Sequence, residues 1–183
     1  MSGAVQPGKT RSVAVLVATQ IGGLSVWFSS AAVIGPMGRE AGLAAGALAG
    51  LTTAVQLGFA AGAVGYALLG LADRFDPRRV FLVSALVAAA ANAGLLLAPI
   101  GGWEAHGLRA LSGGALAGVY PVGMKIAAGW GLRDRAFLVS LLIGALSVGA
   151  AFPHLAALAG GAEWRAVILA TSALAAAGGL GVL

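Results

Sequence analysis

The residues best suited to chemistry sit in a chain that is otherwise apolar. The stretch Leu69-Gly-Leu-Ala-Asp-Arg-Phe-Asp-Pro-Arg-Arg79 sets Asp73 beside Arg74 and follows them with the basic pair Arg78 and Arg79. That grouping suits charge pairing rather than bond making. Asp73 can accept backbone N–H groups at the start of a following helix, or pair with an arginine across a helical bundle. An ionic lock of this kind holds one conformation and breaks in another. The plainer alternative is a basic loop with an incidental acid. Arg109 lies near the start of a further apolar stretch. An arginine there is costly in lipid unless it snorkels to the surface or faces a cavity. Gln20 and Gln56 interrupt two other apolar runs, and each amide needs a partner or a cavity. Interhelical packing bonds are the alternative for both. Tyr120, Pro121 and Lys125 combine a hydroxyl, a kink and a cation in one stretch. At helical rise Lys125 falls roughly 24 Å below Arg109, which puts it at the opposite interface, snorkelling or touching a solute. His154, after Pro153, is a titratable group near a helix end.

Bond-making chemistry has no comparable signature. The chain lacks HExxH, GxSxG, GxxxxGK[ST] and a GxGxxG opening a helix after a strand. With no cysteine there is no disulfide, thiolate nucleophile or thiolate metal site. No enzyme activity, cofactor or metal is expected. Asp and Glu avoid the apolar runs, so no carboxylate relay crosses them.

The elements that must position these residues follow from composition. Of 183 residues, 60% are hydrophobic and 9% charged, against about 25% charged in a soluble domain. A soluble Ala/Gly-rich fold would still need charged helix faces, which runs of this length lack. A spanning helix needs about twenty apolar residues. Six segments qualify: Ser12–Val33, Ala44–Leu69, Val80–Leu97, Leu108–Ala128, Ala136–Leu158 and Arg165–Leu183. The reading is an all-α polytopic membrane protein, with a tail over 1–11 and six transmembrane helices over 12–183. The first apolar run is long and uncleaved, a mature helix rather than a signal peptide. Short connections, GPMGREAG, ADRFDPRR, PIGGWEAHG, GWGLRDR and AGGAEW, predict antiparallel neighbours.

Orientation follows from the basic residues. Lys9, Arg11, Arg74, Arg78, Arg79, Lys125, Arg133 and Arg135 fall on one side, and Arg39, Arg109 and Arg165 on the other. The excess places both termini in the cytoplasm and the chain in the inner (plasma) membrane. Trp27, Trp103 and Trp164 mark the outer boundary and Trp130 the inner. The formal charge of +5 belongs to these loops, so lipid, not nucleic acid, is the expected partner. Small residues spaced for close helix packing are Gly58, Gly62 and Gly65, then Gly113, Gly114 and Gly118. The last apolar run reaches Leu183 without a basic flank, which predicts a piece of a longer protein.

The Leu69–Arg79 stretch resembles the helix 2–3 loop signature of the major facilitator superfamily. Leu71, Asp73 and Arg74 match its core, and Arg78 and Arg79 its terminal basic pair after one extra residue. Asp76 stands where the family has a second Gly. Arg109-Ala-Leu-Ser-Gly113, followed by small residues, resembles the family's helix 4 pattern, whose Arg is linked to proton transfer in proton-coupled members. Ser112 replaces the Gln common there. Gly144, Gly149 and Pro153 resemble the helix 5 signature of antiporters, without its closing Gly-Gly. Tyr120–Trp130 is similar to a stretch in carriers grouped with nitrate/nitrite or cyanate transport. The resemblance implies the N-terminal half of a twelve-helix transporter, built as a 3+3 inverted repeat. It implies transport of a small solute by alternating access, with a gate at Asp73, Arg74, Arg78 and Arg79. Gln20, Gln56, Arg109, Tyr120 and Lys125 become cavity or coupling candidates. A second six-helix half, from a C-terminal domain or another copy, would complete the path. The scarcity of acids in the spans favours an anion. The alternative is a truncated or regulatory half that associates with a partner membrane protein without transporting.

Overall fold

The computed structural model describes residues 8–130, 134–159 and 163–183, and all regular structure among them is helical. The helices are α1 (Lys9–Leu24), α2 (Ser29–Ala32), α3 (Ile34–Ala41), α4 (Ala45–Leu69), α5 (Leu71–Arg74), α6 (Pro77–Gly94), α7 (Trp103–Leu116), α8 (Tyr120–Ala128), α9 (Arg135–Ala159) and α10 (Trp164–Gly181). Arg133 lies outside the described residues. Three helices are long and apolar enough to cross a membrane: Gly46–Leu69, Arg135–Ala159 and Trp164–Gly181.

The other apolar runs are shorter or broken. The first is interrupted at Ser25–Phe28, between α1 and α2. There the ladder tightens to bonds such as Trp27 N–H to Leu24 O at 3.0 Å and Ser29 N–H to Val26 O at 3.3 Å. Ser25 and Ser29 donate from Oγ to Gly22 O and Val26 O, three residues back, a local bond that competes with regular helix. The fourth run breaks at Ala117–Val119, between α7 and α8, where Gly118 N–H donates to Ala115 O at 2.9 Å. Pro121 follows in the first turn of α8. It has no N–H, and its ring displaces the carbonyl four residues earlier, that of Ala117.

Element boundaries depart from the sequence expectation at the predicted outer connections. GPMGREAG is helix α3 rather than a loop, because Pro36 falls in a first turn, where it is tolerated. It ends at Gly42, whose φ of 66° supplies a left-handed cap. WEAHG opens α7 instead of linking helices. Asp76 caps α6 ahead of Pro77, its carboxylate accepting from Arg78 N–H at 2.8 Å.

The helices pack in succession: α4 on α7, α7 on α6, α6 on α10, α10 on α1, α1 on α9 and α9 on α8. Exchanging the first three apolar runs for the last three maps these contacts onto one another. The α1–α9 pairing becomes the α4–α7 pairing, the α1–α10 pairing becomes α7–α6, and α6–α10 maps onto itself. The two breaks fall in corresponding members of the two triplets, the first and the fourth.

Glycine makes the α4–α7 seam. A Cβ on Gly58 would lie 2.0 Å from Ala110 O, and one on Gly62 2.5 Å from Gly114 O. A Cβ on Gly113 would lie 2.0 Å from Val55 O, while Gly114 has its nearest neighbour, Gly58 O, at 3.5 Å. Gly118 is closed in by Ser84 and Tyr66, and Gly149 by Ile21 O at 2.8 Å. Pro153 is buried within α9. Gly65 and Gly144 are corrections to the expected packing set, since a Cβ on either meets nothing within 4 Å. Gly144 lies on an exposed face of α9, whereas Gly65 shares the Gly58 face of α4 at a level where that face is open. The expected outcome is that Gly58→Leu and Gly113→Leu, which must push backbone apart, lose at least about 1–3 kcal/mol. Gly65→Ala and Gly144→Ala should be neutral or gain up to about 1 kcal/mol of helix propensity. Thermal unfolding in detergent compares the four.

Candidate functional site

The side chains of greatest chemical interest converge on the break in the first run. Arg109 enters from the second turn of α7 and is wholly enclosed, with 0% exposure. Its guanidinium donates to Val26 O at 3.1 Å and Trp27 O at 2.6 Å, both carbonyls of the broken segment. It also donates to Ser29 Oγ at 3.3 Å and Asn92 Oδ1 at 3.2 Å. Snorkelling is thereby excluded: the charge points inward, to backbone. The fit is physical. A carbonyl released from the ladder, as that of Trp27 is, keeps its acceptor capacity and a share of the helix dipole's negative end, and a carbonyl such as that of Val26 can accept a second donor. A planar fork of donors can bind several of them at once.

Asn92 of α6 extends the network. Its carboxamide oxygen accepts from Arg109 and from Ser29 Oγ at 2.6 Å. Its nitrogen shares two N–H groups among Ile168 O at 3.2 Å, Thr171 Oγ1 at 3.1 Å and Ser172 Oγ at 2.9 Å, all on α10. Ser25 Oγ also donates to Thr171 O at 3.2 Å. One buried polar cluster thus joins the α1–α2 break to α6, α7 and α10. Among the described residues no carboxylate partners Arg109. Arg109 Nε, Ser30 Oγ and Ser112 Oγ are buried and meet no hydrogen-bond partner among the described residues.

Gln20 is buried but stands apart from this cluster. Its amide nitrogen reaches the Tyr120 carbonyl at 3.5 Å, at the start of α8. Its oxygen lies against Gly123, where a Cβ would come within 2.2 Å. Gln20 and Tyr120 are thus brought together through backbone, and the Tyr120 ring packs on the core. Gln56 is exposed on α4, on a face with no neighbour in this chain.

A second charged assembly occupies the side that the basic loops assign to the cytoplasm. Lys125 donates to the Ala72 carbonyl at 2.6 Å and to the Asp73 carboxylate. This clasp links the short helix α5 to α8, across the seam between the two triplets. Asp73 was expected to bond the start of the next helix or pair with an arginine. The first role belongs to Asp76, and the partner is Lys125, which reaches down from α8 because of its length. Arg74 and Arg79 are exposed, and Arg78 turns elsewhere. A further tie, Lys9 to Asp134 at 2.6 Å, joins α1 to the start of α9.

On the opposite side Glu40, at the end of α3, accepts from Arg165 at 2.5 and 2.7 Å and from Trp164 Nε1 at 2.6 Å. The Arg165 guanidinium lies 4.4 Å from the Trp164 ring centroid. Hydrogen bonds from Arg165 first, and then Trp164, hold the Glu40 carboxyl down to about 2 from an ordinary 4.5.

Asn92 and Glu40 escaped the sequence reading. Asn92 is the only asparagine in the chain and interrupts the run from Phe81 to Leu97, a signal as strong as that of Gln20. Glu40 carried no signal, because its partner lies 125 residues away. No family model, curated protein or solved structure matches the chain.

Two outcomes follow from these geometries. Arg109→Met and Asn92→Leu each strip partners from the cluster and should destabilise by about 3–5 kcal/mol when one partner alone is lost. The double variant should cost less than the sum, with a coupling of about 0.5–3 kcal/mol in a double-mutant cycle. Glu40 has a lowered folded pKa. Its contribution to stability is therefore complete above about pH 4.5 and is lost as pH falls toward about 2. Melting temperature measured across that window should decline less in Glu40→Gln than in the parent protein.

Proposed function

We propose that this chain is a six-helix half of a secondary transporter of the major facilitator type, carrying a small anion by alternating access. The observation that carries the reading is the pair of helix breaks, Ser25–Phe28 and Ala117–Val119, in corresponding members of two triplets whose contacts exchange. In transporters, interrupted helices at equivalent places in two repeats mark the solute path. Irregular backbone at membrane depth is tolerated only inside protein or along a cavity. The remaining runs complete six spans if the broken rods are counted as spans.

The buried Arg109, with neutral partners only, supports an anion over a cation, since its field is uncompensated within the described residues. Its contacts are to the broken segment and Asn92, so its part is to hold the break and set the potential there. Asp73 and Lys125 supply the cytoplasmic gate: their clasp spans the seam between triplets and must open for one triplet to move against the other. The path itself lies between this half and a second one.

The test uses the complete transporter in proteoliposomes, with nitrate, nitrite and cyanate as the first solutes. Uptake of at least one is expected, and Asp73→Asn and Lys125→Gln should each reduce it at equal expression. The double variant should be no worse than either single one. Unchanged uptake in Asp73→Asn would remove the gate. Stable association with a partner membrane protein, and no uptake of any solute, would favour a regulatory half.

A further inference from the structure

Arg78 belongs to the basic loop but takes no part in the Asp73–Lys125 clasp. Its side chain, with Arg11 from the first turns of α1, borders a cavity of about 360 Å³. The cavity lies between the start of α1, the start of α6, the end of α8 and the final turn of α10. Its size falls within the range of about 300–1,000 Å³ typical of small-ligand sites. The polar wall holds donors: both guanidinium groups and the Ser12 hydroxyl. The Gly8 N-cap gives α1 no side-chain cap, which leaves first-turn N–H groups open on the same side. No carboxylate side chain lines the cavity, and neither arginine forms an ion pair among the described residues.

Apolar residues line the rest of it: Val15, one turn along α1 from Arg11, with Val182 and Trp130 among others. Val15 is 41% exposed. Cations beside hydrocarbon form an amphipathic site. It sits at the end of the bundle where the basic residues collect, and a tryptophan there is at home at a membrane interface. A free phosphate ion would use the donors and leave the apolar wall in water. A phosphodiester carrying acyl chains uses both.

We propose that this cavity binds the headgroup of an anionic phospholipid from the cytoplasmic leaflet. The phosphodiester is held between Arg11 and Arg78, near Ser12. The glycerol and upper acyl chains run along Val15 and Val182. A cationic pocket between helices on that face is the setting in which anionic headgroups bind. The site needs only the membrane placement of the chain and is independent of the solute carried.

The experiment is native mass spectrometry of the detergent-solubilised protein, titrated separately with dioctanoyl phosphatidylglycerol, dioctanoyl phosphatidylcholine and inorganic phosphate. Tighter binding of phosphatidylglycerol than of the other two is expected. Arg11→Gln and Arg78→Gln should each weaken it about fivefold. Arg79→Gln, an exposed neighbour outside the cavity, should change it less than about twofold. Val15→Trp fills the apolar side with every charge kept and should also weaken binding. Circular dichroism confirms that each variant is folded, and the arginine variants decide the matter if Val15→Trp is not. Equal affinity for the two lipids would overturn the proposal. So would equal losses in Arg78→Gln and Arg79→Gln, which mean a diffuse surface field. Phosphate binding as tightly as phosphatidylglycerol would make the cavity a free-anion site instead.

Discussion

A guanidinium buried without a carboxylate must find its compensation in dipoles, and Arg109 finds it in the backbone of another helix. The carbonyl of Trp27 meets no backbone donor among the described residues where the first apolar run is irregular, and Val26 O is shared between Ser29 and Arg109. A continuous α-helix would have spent the Trp27 carbonyl on its own ladder. The break and the arginine therefore require each other: without the break the cation has too few acceptors, and without the cation those acceptors are enclosed with weaker partners. Asn92 transmits this dependence outward. Its oxygen serves the arginine and its nitrogen serves α10, so the orientation of one amide fixes the register of α6 against α10.

The glycines bear on the same constraint from another direction. Arg109 can reach the broken segment only if α7 sits deep in the bundle. Gly58, Gly62 and Gly113 let α4 and α7 approach until backbone meets backbone. Gly22 and Gly178 do the same between α1 and α10, where a Cβ on either would lie 2.7 Å from a carbonyl. In a bundle whose outer surface is as apolar as its core, burial of hydrocarbon cannot drive helix against helix. Close packing and internal hydrogen bonds have to do so, and here they are concentrated at the level of the breaks. The ion pairs stand at the two ends, Lys125–Asp73 and Lys9–Asp134 at one and Arg165–Glu40 at the other. These end ties are exposed, and such pairs contribute little to stability. That makes them suited to opening without unfolding the bundle.

Legibility in the sequence followed the range of the interaction. Helix existence was plain, because twenty-residue apolar runs report a local property. The cost of an arginine inside such a run marked Arg109 as special, and Pro121 marked a kink. The partners were invisible. Val26 and Trp27 act through backbone carbonyls, which every residue has, so no side-chain type announces them. Lys125 lies 52 residues from Asp73: the expectation of a cation across the bundle named an arginine, and the structure supplies a lysine. GPMGREAG was expected to be a connection, though Pro36 in a first turn is compatible with the helix it opens. The glycine pattern was half informative. Spacing picked out Gly58 and Gly62 correctly, but the same spacing took in Gly65, which shares the face of Gly58 at a level where nothing packs against it.

Gln56 lies on α4 and Gly144 on α9, the helices that exchange under the triplet relation, and each helix leaves one side uncovered among the described residues. Along α9 the uncovered side carries Ser140, Gly144, Ser147, Ala151 and His154 at helical spacing, small and polar where lipid would favour larger apolar groups. Phe137, Val148 and Leu155 flank that line. A helix meeting only hydrocarbon has no use for a polar line down its centre. A helix bordering water or a second protein surface does. The same argument applies to Thr53 and Gln56 on α4. The polar lines set those sides apart from their apolar flanks. The Arg109 cluster joins the α1–α2 break to α6, α7 and α10, and α4 and α9 pack on that frame through α7 and α1.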